Sequence, residues 1–307
     1  MVMSTDALLD RMKLRRRIRL WRIIAITVGA FAIFSAVSKN VALTDIGQDY
    51  IARISVENII DIDRERNEIL DEIAKNKKIR AVIMHINSPG GTAAGGETLY
   101  LALKDLNAKK PVIAIMNNMA TSAAYMIALP TERIFAQRSS LTGSIGVIMQ
   151  TPNLKGLAEK IGVDVQTVRT GSMKGEPMML EEMTPETRTV MQDLLNDFYE
   201  VFVEMVAEHR PLTADEVRPL ADGRVYSGKQ AFSLKLIDAL GGEKEARKWL
   251  SSNKSISGTL EIKNVKLHRP KSPFKELMHT LSDSNALIPK VFSTQGLLSV
   301  WQNNGIN

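Results

Sequence analysis

Four short segments carry residues suited to acyl-transfer chemistry. Residues 87–91 read NSPGG and follow an apolar run. Two adjacent glycines let backbone N–H groups approach a ligand closely, and such a turn opening a helix can hold an oxyanion. Residues 117–125 read NNMATSAAY, at the next junction between an apolar run and a helical pattern. The spacing places Ser122 at or near a first helical turn, where its hydroxyl can enter a cleft. The Ala123 N–H would point the same way, as the residue after a nucleophile often does in acyl transfer. Each segment also has a plainer reading: NSPGG as a simple strand-to-helix turn, and Thr121 or Ser122 as a helix N-cap. The other two segments are LTGSIGV (141–147) and TGSMKGEPMML (170–180).

A serine nucleophile needs a base. The chain has four histidines, His85, His209, His268 and His279. His85 falls in a run that reads as a buried strand. His209 ends an amphipathic helix, where a cation suits the helix dipole. His268 and His279 lie near the C-terminus, and none of the four follows Ser122 closely. Lysine is the other option, because desolvation lets an amine lose its proton near neutral pH. Lys174 sits between Gly171 and Gly175 with Met173, Met178, Met179 and Met183 close in sequence. That setting is apolar and deformable. The plainer reading is a solvated loop lysine beside a methionine-rich patch.

The elements that must position these residues follow from hydrophobic periodicity. Residues 64–76, RERNEILDEIAKN, predict a surface helix with Ile69 and Ile73 on its apolar face. IRAVIMHI (79–86) and PVIAIM (111–116) are continuous apolar runs and predict buried strands. NSPGG reads as a tight turn after the first of them. Helical patterns cover 93–106 and 123–129, ERIFAQ (132–137) and LTGSIGVIM (141–149) read as strands, and a long amphipathic helix runs from Pro185 to His209. Residues 213–250 read as two further helices around GRVYSGKQA. Alternating strands and helices imply an α/β fold. Residues 251–307 carry no assignable pattern.

Composition narrows the possibilities. The 307 residues contain no cysteine, which excludes disulfides, thiolate metal sites and a cysteine nucleophile. The net charge is +6, but residues 1–22 alone hold seven bases against two acids, so the rest is nearly neutral and a general nucleic-acid-binding surface is not expected. After Arg22 comes IIAITVGAFAIFSAV (23–37), an uncharged run. With Leu20 and Trp21 it approaches the length of a membrane span. The basic flank places the N-terminus in the cytoplasm and everything after Lys39 across the membrane. A cleaved secretory signal and a buried core helix are the competing readings. The expected organisation is a basic cytoplasmic segment (1–22), a transmembrane anchor (23–39), a catalytic domain (40–250) and a C-terminal extension (251–307).

Together, NSPGG, ATSAAY, LTGSIGV, TGSMKGEP and ADGRVYSGKQAFSLKLIDALGG resemble, in order, the blocks of bacterial signal peptide peptidases of the protease IV type. GLLSVWQ is weakly similar to a C-terminal block of that family. The resemblance implies a Clp protease/crotonase-like α/β fold of repeated ββα units, preceded by one N-terminal transmembrane helix. It implies a Ser/Lys dyad in which Ser122 is the nucleophile and Lys174 the general base. Ser144 helps orient the lysine amine, and the backbone N–H groups of Gly91 and Ala123 form the oxyanion hole. No cofactor or metal is implied. The implied substrates are apolar peptides such as remnant signal peptides at a bacterial inner membrane. The implied assembly is a ring-shaped homo-oligomer, an octamer in one reading, with Ser122 and Lys174 supplied by neighbouring subunits. The family often carries two glycines after the nucleophile where this chain has Ala123 and Ala124, which predicts a narrower substrate pocket. A membrane-protein quality-control protease, a crotonase-type acyl-CoA enzyme and an inactive peptide-binding scaffold are the alternatives.

Overall fold

The computed structural model describes residues 16–29 and 48–268, and the backbone of 298–300. Residues 16–29 form helix α1, which belongs to a unit of its own (Met1–Gln48). Among the described residues no helix is long and apolar enough to cross a membrane. Residues 30–39 of the expected anchor lie outside the described residues.

The second unit, Asp49–Asn307, is built on an eight-stranded, mostly parallel sheet. In chain order its first elements are β1 (Tyr50–Glu57), α2 (Arg64–Lys75), β2 (Ile79–Ser88), β3 (Gly90–Thr92), α3 (Ala93–Lys109), β4 (Val112–Thr121) and α4 (Ala123–Met126). Then come β5 (Arg133–Ala136), β6 (Leu141–Gly143), α5 (Lys155–Lys160), α6 (Pro185–His209) and α7 (Ala214–Val217). β7 (Val225–Ser227), α8 (Gly228–Ser233), β8 (Ala239–Leu240), α9 (Glu243–Lys254), β9 (Glu261–Asn264) and β10 (Leu298–Val300) complete the order. The sheet runs β7-β6-β4-β2-β1-β9, with β5 paired to β4 and β8 to β5. All its pairings are parallel except β6–β7.

The central strands are apolar throughout because both faces are covered. One face packs Ala52, Ile54, Val82, Met84, Val112 and Ala114 against α2, α3, α4 and α6. The other packs Ile51, Ile83, Ile113 and Ile115 against Ala246 and Leu250 of α9. α6 has the expected bounds. The Thr184 hydroxyl accepts from the Thr187 N–H, and Pro185 takes the first helical position, where its missing donor costs nothing.

Four local expectations need correction. NSPGG is not a tight turn: Gly90–Thr92 is extended, bridges to Ile60 and pairs antiparallel with β10. The strand expected over 141–149 stops at Gly143, because Gly143 (φ 80°) and Ser144 (φ 51°) are both left-handed. The helix expected over 123–129 is regular only from Ala123 to Met126. Within GRVYSGKQA, Val225–Ser227 is a strand rather than a linker between helices. At the C-terminal side, α9 runs through residue 250, and β9 adds a parallel strand beside β1 with Tyr50 opposite Glu261.

β4 positions the site. Its first half pairs with β5 (Ile113 to Met116) and its second with β6 (Met119 to Thr121). At the changeover the Ser140 hydroxyl bonds the carbonyls of Met116 and Asn117. The end of β4 is thereby carried beyond its β5 neighbour, and Ser122 follows.

Candidate active site

Ser122 has φ 58° and ψ −125°, a conformation that residues with a side chain rarely adopt. Such strain costs about 1–3 kcal/mol and persists only where surrounding bonds enforce it. Here the Ser122 N–H donates to the Gly143 carbonyl at 2.8 Å. The Ser122 carbonyl accepts from the N–H groups of Tyr125 (2.8 Å) and Met126 (3.0 Å). Ser122 occupies the N-cap position of α4, yet its side chain makes no capping bond. The plainer reading of this serine is therefore not what the fold contains. A sharp strand-to-helix turn with a strained serine at its apex is the geometry of a nucleophile elbow. Ala123, the first helical residue, has an N–H with no partner inside the helix. Beneath the elbow Tyr125 is fully buried and donates to the Leu236 carbonyl at 2.8 Å. Burial drives its phenol pKa well above the ordinary range.

The glycine strand β3 lies beside this turn. The Ile60 N–H donates to Gly90 O (2.8 Å) and Ile60 O accepts from Thr92 N–H (2.9 Å). Because successive residues of a strand face opposite edges, the Gly91 N–H points away from Ile60, toward the edge where Gly91 pairs with Ser299 of β10. A Cβ at Gly91 would lie 1.8 Å from the Ile60 carbonyl oxygen, so only glycine fits. Ser88 is fully buried and ties the segment down: its hydroxyl accepts from the Gly90 N–H (3.1 Å) and donates to Asn58 O. The Thr121 hydroxyl donates to Pro89 O at 3.0 Å. Its position before a helix suggests Thr121 only as a cap, and no local pattern signals this bond. α3 opens immediately after, capped by Thr92 through the Gly95 N–H (3.0 Å).

The alanines that replace the family's glycines are fully buried. A Cβ on Gly96 of α3 would come within 2.9 Å of the Ala123 methyl. The extra methyl at 123 therefore rests against a residue with no side chain. Ser144 is buried at the other side of the elbow, its N–H donating to Arg224 O at 2.8 Å. Gly143, which receives the Ser122 N–H, has no room for a Cβ: one would sit 2.6 Å from the Tyr226 ring. The fold thus gathers Ser122, Ala123, Gly91 and Ser144 around the ends of β4, β3 and β6.

Lys174 is built differently. It is exposed, and its N–H bonds Gly171 O at 3.1 Å. Among the described residues, the hydrogen bonds and ion pairs of residues 150–183 stay within that segment. Leu154 N–H donates to Met179 O (2.7 Å), and the Arg169 guanidinium holds Glu176 and Glu181. Val163, Val165, Val168 and Met179 of the same segment are exposed. Among the described residues the apolar enclosure suggested by the four methionines is not present around Lys174, and Met173, Met178 and Met183 are only half-buried.

Two of the histidines are engaged elsewhere, and His268 is exposed. His85 bridges Asn117 Oδ1 and Glu243 Oε2, both at 3.1 Å. His209 Nε2 lies 2.6 Å from the Tyr100 hydroxyl. Burial pushes the His209 pKa down against the pull of Glu208, so the cation expected at the end of α6 is disfavoured. His279 lies outside the described residues.

The model of peptidase family S49 matches residues 104–257. A putative protease of Synechocystis is 34% identical over 249 residues, covering 80% of this chain and 88% of that protein. A putative protease of Methanocaldococcus jannaschii is 35% identical over 189 residues, covering 62% of this chain and 61% of its own. The chloroplastic serine protease SPPA of Arabidopsis thaliana is 32% identical over 219 residues, covering 71% of this chain but only 32% of its own. The chain therefore spans most of the first relative and a third to three-fifths of the other two. On these matches the chain belongs to peptidase family S49, as a serine protease of that family.

Proposed function

We propose that the protein is a membrane-anchored serine endopeptidase that cleaves apolar peptides through Ser122 and Lys174, the lysine coming from a neighbouring copy. The observation that carries this reading is the strained Ser122 elbow, whose hydroxyl does not cap α4, beside a glycine strand that admits no side chain at Gly91. In the proposed reaction unprotonated Lys174 takes the Ser122 proton as the oxygen attacks a peptide carbonyl. The N–H groups of Gly91 and Ala123 stabilise the oxyanion, and Ser144 orients the amine. Lys174 returns the proton to the departing amine, and water then hydrolyses the acyl-enzyme by the same route.

Delivery of Lys174 by another copy is supported by the contrast between its exposed, self-contained segment and the buried serine. Apolar contact with a second subunit would cover Val163, Val165 and Val168 and remove water from the amine. Anchoring by residues 23–39 with the N-terminus in the cytoplasm is supported by the basic start and by exposed Ile23, Ile26 and Val28 on α1. Remnant signal peptides suit an apolar site at a membrane, and the Clp protease/crotonase-like reading of the fold is in keeping with the β2–β3–α3 order.

The test is hydrolysis of an apolar leader-like peptide by the full chain in detergent, with labelling by a fluorophosphonate probe. Hydrolysis and labelling that both vanish in Ser122→Ala are expected. Thioester turnover that persists in Ser122→Ala would favour the crotonase alternative, and peptide binding without turnover the scaffold.

A further inference from the structure

We propose that Thr121 is a positioning residue for the oxyanion hole, acting through the glycine strand. This rests on the protease reading above and adds a residue to it. β2 and β4 pair from Val82 opposite Val112 to Ile86 opposite Met116, and after a register shift Ser88 lies opposite Ala120. There the ladder ends: Pro89 has no N–H, and Gly90 turns the chain at φ 117° into β3. The half-buried Pro89 carbonyl gains a donor from across the strand end. The Thr121 hydroxyl supplies it at 3.0 Å, from a side chain with no exposed surface.

The placement of this bond matters more than its strength. Thr121 directly precedes Ser122, and Pro89 lies two residues before Gly91. One hydroxyl therefore ties the residue beside the nucleophile to the strand that carries an oxyanion donor. Ser88 holds the same strand from its other side through Gly90 N–H and Asn58 O. Between them the two hydroxyls hold Pro89 and the residues on either side of it, and so set the course of the strand that carries Gly91 past Ser122. A displaced donor weakens stabilisation of the tetrahedral intermediate while leaving ground-state peptide binding largely unchanged.

The test compares Thr121→Val, which keeps the shape and removes the donor, with Thr121→Ser, which keeps the donor and removes a methyl. Full-length protein in detergent is assayed for kcat and KM on an apolar peptide and for inhibition by the corresponding peptide aldehyde, which mimics the tetrahedral oxyanion. For Thr121→Val, kcat should fall roughly 10- to 100-fold with KM within about twofold, and the aldehyde inhibition constant should rise by the same factor. Thr121→Ser should restore kcat to within about threefold. If the valine variant does not fold, Thr121→Cys keeps a side chain of similar size with only a weak donor, and a loss of about tenfold in kcat is expected. A valine or cysteine variant that folds and keeps kcat within threefold of the unmodified protein would overturn the inference. So would a loss in which aldehyde and ground-state peptide weaken equally. Equal hydrolysis by Ser122→Ala and the unmodified chain is a different failure, because it would remove the protease reading and this inference with it.

Discussion

The end of β4 and the segment 150–183 are opposites in construction. Around Ser122 the backbone is strained, buried and bonded to three other segments: Gly143 from β6, Pro89 through Thr121, and the first turn of α4. Around Lys174 the chain is exposed and bonded to itself through Arg169, Glu176 and Glu181. Strain at Ser122 needs a scaffold that over-determines it, and the parallel sheet provides one. A lysine that is to act as a base needs desolvation, which the described residues of its own chain do not provide. One half of the proposed machinery is therefore built into the sheet of a single copy, and in the proposed reading the other half is finished by contact with a second one.

This contrast can be broken by substitution. Ser122→Ala and Lys174→Ala should each lower kcat by at least about 1,000-fold in peptide hydrolysis. Because Lys174 is exposed, its replacement should shift unfolding free energy by less than about 0.5 kcal/mol in chemical denaturation. Gly91→Ala should remove activity and fold stability together. Its methyl meets the Ile60 carbonyl at 1.8 Å, and a cost of about 3 kcal/mol or more should appear as a melting temperature lower by roughly 6–12 °C.

Two smaller effects sharpen the comparison. Ser122→Gly should abolish hydrolysis yet raise stability by about 1 kcal/mol, because glycine tolerates φ 58°. No change or a loss in melting temperature would mean that the elbow is not strained as described. The smallest effect lies far from the elbow, where α9 is held to the sheet. Burial opposes ionisation of Glu243, but hydrogen bonds from Arg53 and His85 outweigh it and hold its carboxyl below the ordinary 4.5. The folded state therefore binds this proton less readily than the unfolded chain. The stabilisation is present above pH 4.5 and is lost as pH falls through the lowered value. Glu243→Gln should flatten the melting temperature between about pH 5 and 3, a change of a few degrees at most.

Much of this was legible in the sequence, for physical reasons. β2 and the first half of β4 are continuous apolar runs because the sheet is covered on both faces. α6 carries its own start signal in Thr184 and Pro185. The extended course of Gly90–Thr92 was not legible, because it depends on Ile60, some thirty residues earlier, bonding on both sides of Gly91. Likewise β9 joins the sheet beside β1, and a pairing between residues 50 and 261 leaves no local pattern. The resemblance points to Ser122, Gly91, Ala123 and Ser144, and the fold places these residues near one another. The resemblance had no place for Thr121. A threonine at the end of a strand whose neighbour terminates in proline was the available clue. For Lys174 the surrounding methionines suggested burial, but sequence distance does not distinguish a side chain covered by its own chain from one left for a partner.

The measurement that tests the central claim most directly is complementation. Ser122→Ala and Lys174→Ala are each inactive alone, and the two are co-expressed in equal amounts and purified as mixed oligomers verified by native mass spectrometry. If each site takes its serine from one copy and its lysine from the next, about one quarter of the sites contain both groups and about a quarter of the unmodified activity returns. Mixed oligomers that remain inactive would show that the two residues must share a chain, and the division of the site between copies would be wrong.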